Sequence, residues 1–280
     1  MPSLAQINRQ FGYYQDSLMA VFVEHLQSIV ARASGRTQMK LSRLLTATDG
    51  VIDQTPANLR VLRGLGKTLL SEIEAAGYGP LVESFVDGFS GTLPFLHDTI
   101  DFLGSQTKAG LPRVQFSRAD EGIMSATQLN AVGSLENAMD MAAATAVKRT
   151  LFSVGGLRFG DLVETIGNAM EVAIPQARTI ADTSMNVFYR TATDLAFDQI
   201  AKDQPGEMRY RYTGPDDALT RPFCEDLLAA DESYTKAEIN AMNAGRSQPG
   251  PVFLCAGGWN CRHSWILDTS AMEAQLKRAA

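Results

Sequence analysis

Cysteine and histidine are both scarce in this sequence. The 280 residues contain three of each, and the cysteines Cys224, Cys255 and Cys261 all lie in the last quarter of the chain. Three cysteines are too few for a disulfide scaffold, so most of the fold must depend on an apolar core. Thiol chemistry is therefore confined to that last quarter.

The chain also lacks an excess of positive charge and a long apolar run. Lys and Arg total 25 against 31 Asp and Glu, a formal charge of −6. The charge therefore predicts no overall basic surface that would bind nucleic acid. Contact with DNA through a local basic patch is still allowed. The most apolar early run, Leu18 to Val23, is ended by Glu24 and His25, far short of the about 20 residues that span a bilayer. We expect no membrane-spanning segment.

Helical periodicity is what the sequence has in abundance. With 45% hydrophobic and 20% charged residues, the composition is typical of a globular protein. Apolar residues at steps of three, four or seven predict one long helix from Leu4 to about Leu45, or two helices joined near Gly35. Further helices follow, and Ile174-Pro175 is predicted to start one that connects two domains.

The pattern changes after Gln204-Pro-Gly206, which is predicted to end the connecting helix. Met208 to Thr213 alternates like a short strand, and Trp, Cys and His concentrate beyond it. The prediction is a mainly α fold, with an elongated helical N-terminal body and a small α+β C-terminal module. The predicted domains are the helical body (1–173), the connecting helix (174–205), the C-terminal module (206–268) and a short helical tail (269–280).

The three cysteines and His263 are the candidate chemical cluster. Together they could form a tetrahedral Cys3His zinc site. The spacing is unusual for such a site. There are 30 residues between Cys224 and Cys255, five between Cys255 and Cys261, and one between Cys261 and His263. A cross-link between Cys224 and Cys261 would instead close a loop of about 37 residues and contribute about 3–4 kcal/mol. Structural thiols or a disulfide are preferred, with zinc as the alternative.

Three ordered blocks in this region carry a family resemblance. They are Arg211-Tyr-Thr-Gly-Pro-Asp-Asp-Ala-Leu-Thr-Arg-Pro-Phe-Cys224, Tyr234-Thr-Lys-Ala-Glu-Ile239 and Gly257-Gly-Trp-Asn-Cys-Arg-His263. From about Ala177 to Trp265 the chain resembles the C-terminal domain of Mu F-like phage head morphogenesis proteins, which are minor head proteins.

The resemblance implies a set of motif residues. Arg221 and Arg262 are planar donors that could tie loops together or grip a carboxylate on another subunit. Many relatives end the last block in Cys-Arg-Cys, whereas this chain ends it in Cys-Arg-His. The motif residues that match this chain are Asp217, Thr220, Arg221, Pro222, Gly257, Gly258, Asn260 and Arg262.

The function expected from this resemblance is that of a non-enzymatic virion structural protein. It would act in phage head morphogenesis near the portal, after assembly in the bacterial cytoplasm. Its partners would be the portal and other head or neck proteins, and it would be oligomeric in the virion. The alternatives are a head-to-tail connector ring subunit and an enzyme or toxin-type effector. No nucleophile-base pair or acidic metal cluster is readable in the sequence, and no cofactor other than zinc is expected.

Overall fold

In the computed structural model, which describes residues 2–108, 110–152, 156–202, 207–245 and 250–279, helices account for 74% of the described residues. The predicted mainly α fold with a small α+β region is confirmed. The helices are α1 (Leu4–Leu44), α2 (Pro56–Arg63), α3 (Leu65–Ala75), α4 (Tyr78–Asp87), α5 (Leu93–Ser105), α6 (Arg118–Phe152), α7 (Phe159–Lys202), α8 (Pro222–Ala230), α9 (Lys236–Ala241), α10 (Val252–Cys255) and α11 (Thr269–Ala279), with a 3-10 helix at Gly88–Thr92. The strands are β1 (Ala47–Thr48), β2 (Val51–Ile52), β3 (Arg209–Thr213), β4 (Ser233–Thr235) and β5 (Ser264–Leu267).

The chain divides into two compact units. The first contains Met1–Ser17, Asp87–Asn130 and Asp182–Ala280, and the second contains Leu18–Val86 and Ala131–Ala181. The domains predicted from the sequence stay predictions, and their boundary between residues 205 and 206 lies outside the described residues.

The core of the second unit is built from helices. The rings of Phe22 and Phe85 are both buried, with their centroids 4.5 Å apart. The buried Tyr78 hydroxyl donates a hydrogen bond of 2.7 Å to the carbonyl of Leu135. A tyrosine packed in this way contributes apolar area while its polar end stays satisfied.

The prediction of a helix start at Ile174-Pro175 is wrong, because α7 begins at Phe159 and contains Pro175 in its interior. An interior proline removes one helix hydrogen bond and normally costs about 3 kcal/mol. Ala173 and Ala177, on either side of it, are buried, so packing of this helix face offsets the missing bond. The predicted helix end at Gln204-Pro-Gly206 lies outside the described residues.

α1 is one continuous helix from Leu4 to Leu44, and it does not divide into two helices near Gly35. Across the described residues, no helix is both long and apolar enough to cross a membrane.

The three-stranded antiparallel sheet of the first unit has the order β4-β3-β5. In the central strand β3, the buried residues Tyr210 and Tyr212 alternate with half-buried ones, which is the alternation seen in the sequence. Tyr212 pairs with Trp265, and Thr213 pairs with Ser264. This register brings the chain that leaves β3 beside His263, the residue directly before β5.

Candidate metal centre

Three buried side chains meet beside the sheet of the first unit. The Sγ atoms of Cys224 and Cys261 are 3.9 Å apart, and the Sγ of Cys261 is 3.6 Å from Nδ1 of His263. The three ligand atoms all lie within 4.8 Å of one another. Their side chains are almost fully removed from solvent. Thiols and imidazoles are the ligands of soft and borderline metal ions, so this group can hold a metal ion.

Glycine residues allow the three side chains to approach so closely. A Cβ atom on Gly257 would lie 2.5 Å from the Sγ of Cys224 and 3.2 Å from the Sγ of Cys261. The backbone N–H of Gly257 instead donates a hydrogen bond of 3.2 Å to the Sγ of Cys261. A Cβ atom on Gly214 would collide with the ring of His263. Both positions require a residue without a side chain.

The orientation of the His263 ring is fixed by a backbone carbonyl. Its Nε2 lies 2.8 Å from the carbonyl oxygen of Pro215. Since a carbonyl only accepts hydrogen bonds, Nε2 carries the proton and Nδ1 presents a lone pair to Cys261. Histidines that bind metals have the same arrangement, with the second nitrogen donating to a carbonyl or carboxylate.

The Tyr212 hydroxyl lies against both sulfurs, 3.3 Å from Cys224 and 3.6 Å from Cys261. The tyrosine ring is stacked on the ring of His263, with centroids 5.2 Å apart and an angle of 4° between the planes. Burial raises the pKa of Tyr212 far above its usual range. The phenol therefore keeps its proton and can donate it in a hydrogen bond to sulfur.

The two thiols of the cluster have opposite electrostatic behaviour. A hydrogen bond from Cys224, together with the charge of Arg190, lowers the pKa of Cys261. The same contact with Cys261, together with burial, raises the pKa of Cys224. Of the two thiols, Cys261 is therefore the one that gives up its proton more readily. A thiolate is the form that binds metals.

The group whose ligand atoms lie within 4.8 Å of one another contains Cys224, Cys261 and His263 but not Cys255, and the four-residue site stays a prediction. Cys255 ends α10, and the next residue, Ala256, has a positive φ of 49°. This turn separates the sulfur of Cys255, which faces Gly250, from Gly257, which faces the cluster. Burial raises the pKa of Cys255, as expected for an inert thiol.

All three cysteines are free thiols. The separation of 3.9 Å between the Sγ atoms of Cys224 and Cys261 is far longer than the about 2.05 Å of a disulfide bond. Of the two preferred arrangements, structural thiols or a disulfide, the disulfide is therefore not the one found. Structural thiols and a metal site remain.

The arginines of the predicted motif tie the loops of the module together. Arg221 donates a hydrogen bond of 2.7 Å to the carbonyl of Gly257 and another to the carbonyl of Trp259. Arg262 forms a two-bond ion pair with Asp217, at 2.6 and 2.9 Å. These hydrogen bonds lower the pKa of the Asp217 carboxyl well below its usual range.

The remaining motif residues shape the turns. The Thr220 hydroxyl accepts a hydrogen bond from the backbone of Asp217 and donates one to the carbonyl of Pro215. Pro222 opens α8 at its first turn. Gly258, with φ of 91°, and Asn260, with φ of 55°, adopt left-handed backbone conformations in the turn before Cys261.

Arg190, on α7, is a residue of the site that sequence reasoning missed. It is buried, and its guanidinium donates hydrogen bonds to the carbonyls of Cys261, His263 and Leu254. Its partners lie 64 to 73 residues away along the chain, so no local pattern could have indicated the contact.

A cavity of about 740 Å³ lies next to the module. Pro215, Arg262 and Trp265 form part of its wall, together with Arg9 and Tyr189. Among the described residues that line it, the three ligand side chains are absent. The cluster is therefore closed off from this cavity.

No protein-family model, curated protein or solved structure matches this chain. The resemblance to the Mu F-like head morphogenesis proteins therefore depends on the three sequence blocks themselves.

Proposed function

We propose that Cys224, Cys261 and His263 bind a structural zinc ion. In a tetrahedral site with Zn–S bonds of about 2.3 Å and Zn–N bonds of about 2.0–2.1 Å, two sulfurs lie about 3.8 Å apart and a sulfur and a nitrogen about 3.6 Å apart. Two of the three ligand-atom pairs in the cluster have the corresponding distances, 3.9 Å for Cys224–Cys261 and 3.6 Å for Cys261–His263, and all three atoms lie within 4.8 Å of one another. This agreement is the observation that carries the proposal. The cluster supplies three of the four ligands that structural zinc takes.

A Cys-His pair can also be a nucleophile and its base. The environment of this pair favours the structural role. Cys261 and His263 are only 5% and 2% exposed, and the neighbouring cavity does not reach them. The Nε2 proton of His263 is already bound to Pro215, so the ring is held as a ligand would be.

The zinc proposal is tested on the full-length protein after loading with zinc. We expect one zinc per chain by elemental mass spectrometry, and a lower melting temperature after treatment with a chelator. The variant Cys261→Ser should lose the zinc. The matched control Cys255→Ala, which changes a buried thiol outside the cluster, should keep it. A wild-type protein that binds no zinc, or whose melting is unchanged by the chelator, contradicts the proposal.

We propose further that the protein is a non-enzymatic structural component of a phage particle that acts in head assembly near the portal. Its expected partners are the portal and other head or neck proteins. The support comes from two of the blocks that resemble the Mu F-like proteins. The block that ends at Cys224 and the block that ends at His263 meet at the cluster, and the Asp217–Arg262 ion pair joins them. A module held in this way presents a stable surface to other proteins.

This proposal is tested by comparing phage particles made with and without the chain. Absence of the protein should reduce the yield of DNA-filled heads and of infectious phage. Cys261→Ser should reproduce this defect, whereas Cys255→Ala should assemble normally. Normal heads, filling and infectivity without the protein would refute the role. A full ring of copies per particle, measured by quantitative mass spectrometry, would identify a connector subunit instead.

A further inference from the structure

The ligand loop of the candidate metal centre is held from behind by a residue of α7. Arg190 is 3% exposed. Its Nε and Nη2 donate to the carbonyl of His263 at 2.9 and 2.6 Å, and its Nη2 also donates to the carbonyl of Cys261 at 2.5 Å. A weaker bond of 3.3 Å joins Nη1 to the carbonyl of Leu254. One guanidinium thus fixes two ligand residues and the end of α10.

Arg190 is unusual because it is a buried cation that makes no ion pair with a carboxylate of the described residues. Burying a charge without a partner is expensive unless hydrogen bonds satisfy it. Here backbone carbonyls supply those bonds. These hydrogen bonds offset the cost of burial and also fix the loop, since the planar fork of arginine bonds several acceptors at set angles.

Cys261 and His263 are separated by a single residue, and their side chains converge on Cys224. Two residues this close can reach one metal ion only if the backbone between them is bent. The carbonyls of both residues point to Arg190 while their side chains point to the cluster. The guanidinium therefore holds the bend that brings Sγ of Cys261 and Nδ1 of His263 together.

We propose that Arg190 is a positioning residue of the metal centre, which fixes the Cys261–His263 loop in the conformation that binds the metal. This inference rests on the proposed zinc site. It also makes α7 a part of that site, because residue 190 belongs to this helix and not to the C-terminal module. A residue with this role raises metal affinity without being a ligand.

The test uses Co²⁺ as a spectroscopic replacement for zinc in the full-length protein. Arg190→Lys keeps the positive charge but replaces the fork with one ammonium group. We expect it to bind Co²⁺ about 10–100-fold more weakly than wild type, and to change the visible absorption bands that report coordination geometry. Arg178→Lys, at an exposed position of the same helix, is the matched control and should match wild type in both measurements. Arg190→Ala should regain Co²⁺ binding when methylguanidinium is added.

The outcomes separate this inference from the zinc proposal. Wild-type affinity and an unchanged Co²⁺ spectrum in Arg190→Lys would overturn the positioning role while leaving the metal centre intact. Failure of the wild type to bind Co²⁺ or zinc would overturn both. If both variants lose their helical circular dichroism, hydrogen exchange of the wild type decides. Added zinc should then slow exchange in the segment of α7 around residue 190, and unchanged exchange there would overturn the inference.

Discussion

A single methyl group at Gly257 should disrupt the candidate metal centre. In Gly257→Ala the new Cβ would lie 2.5 Å from the Sγ of Cys224 and 3.2 Å from the Sγ of Cys261. Unstrained contacts between nonbonded heavy atoms lie at about 3.5–4.0 Å. The sulfur of Cys224 must therefore move by about 1 Å, or the loop that carries Gly257 must move away from α8.

The size of the effect follows from this displacement. Adding a methyl group to a tightly packed site typically costs about 1–3 kcal/mol. Metal ligands must lie within about 0.2 Å of their ideal distances, so a shift of about 1 Å removes one sulfur from the coordination sphere. We therefore expect the free energy of unfolding to fall by about 1–3 kcal/mol in the metal-free protein. Zinc affinity should fall by at least about tenfold, the factor that 1.4 kcal/mol represents.

The assay is urea unfolding with and without zinc, together with competition for zinc by a chelator of known affinity. Gly167→Ala is the matched control, because Gly167 lies in α7 and a Cβ atom there would have open space. Its higher helix propensity should stabilise the protein by up to about 1 kcal/mol and leave zinc binding unchanged. Equal zinc affinity in Gly257→Ala and wild type would refute the reasoning that places the sulfurs against this glycine.

Three further predictions concern the same module. Tyr212→Phe removes the hydroxyl that contacts both sulfurs. This change should lower the free energy of unfolding, measured by urea titration, by about 1 kcal/mol. An unchanged free energy of unfolding would show that these contacts are energetically neutral. Because hydrogen bonds from Arg262 lower the folded-state pKa of Asp217, their stabilisation is present above the unfolded pKa of about 3.9 and is lost as the pH falls towards the lower, folded value. The melting temperature of wild type should exceed that of Asp217→Asn at neutral pH and converge with it in acid, and a difference that persists in strong acid would contradict this. Thr235→Ala removes the N-cap of α9, where the Thr235 hydroxyl accepts a hydrogen bond from the backbone N–H of Glu238. This change should lower the free energy of unfolding by about 1 kcal/mol. Glu232→Ala, outside the cap, is the control.

Local patterns predicted the regular elements well. Apolar spacing indicated the long helix that begins at Leu4, and alternation indicated the strand β3. Both patterns are set by neighbours in the sequence, and the structure has helix and strand at these places. Pro175 shows the limit, because the burial of Ala173 and Ala177 in α7 outweighs the local helix-breaking tendency.

The candidate site was only partly predictable. Cys224, Cys261 and His263 could be proposed because thiols and histidines are so scarce here. Sequence alone could not show which of the three cysteines lie closest to His263, because the group of Cys224, Cys261 and His263 forms only after folding. No sequence pattern indicated a role for Arg190, because that role arises from contacts with residues 64 to 73 positions away along the chain. Such long-range contacts exist only after folding.

The burial of the ligand side chains has a kinetic consequence. With Cys224 at 1%, Cys261 at 5% and His263 at 2% exposure, no chelator molecule can reach a metal ion held between them while the module is closed. Metal loss must then wait for a local opening of the module, whose free energy is at most that of global unfolding. At high chelator concentration, the rate of release becomes independent of that concentration and equals the opening rate. A zinc-release experiment on this protein would therefore measure how often its C-terminal module opens.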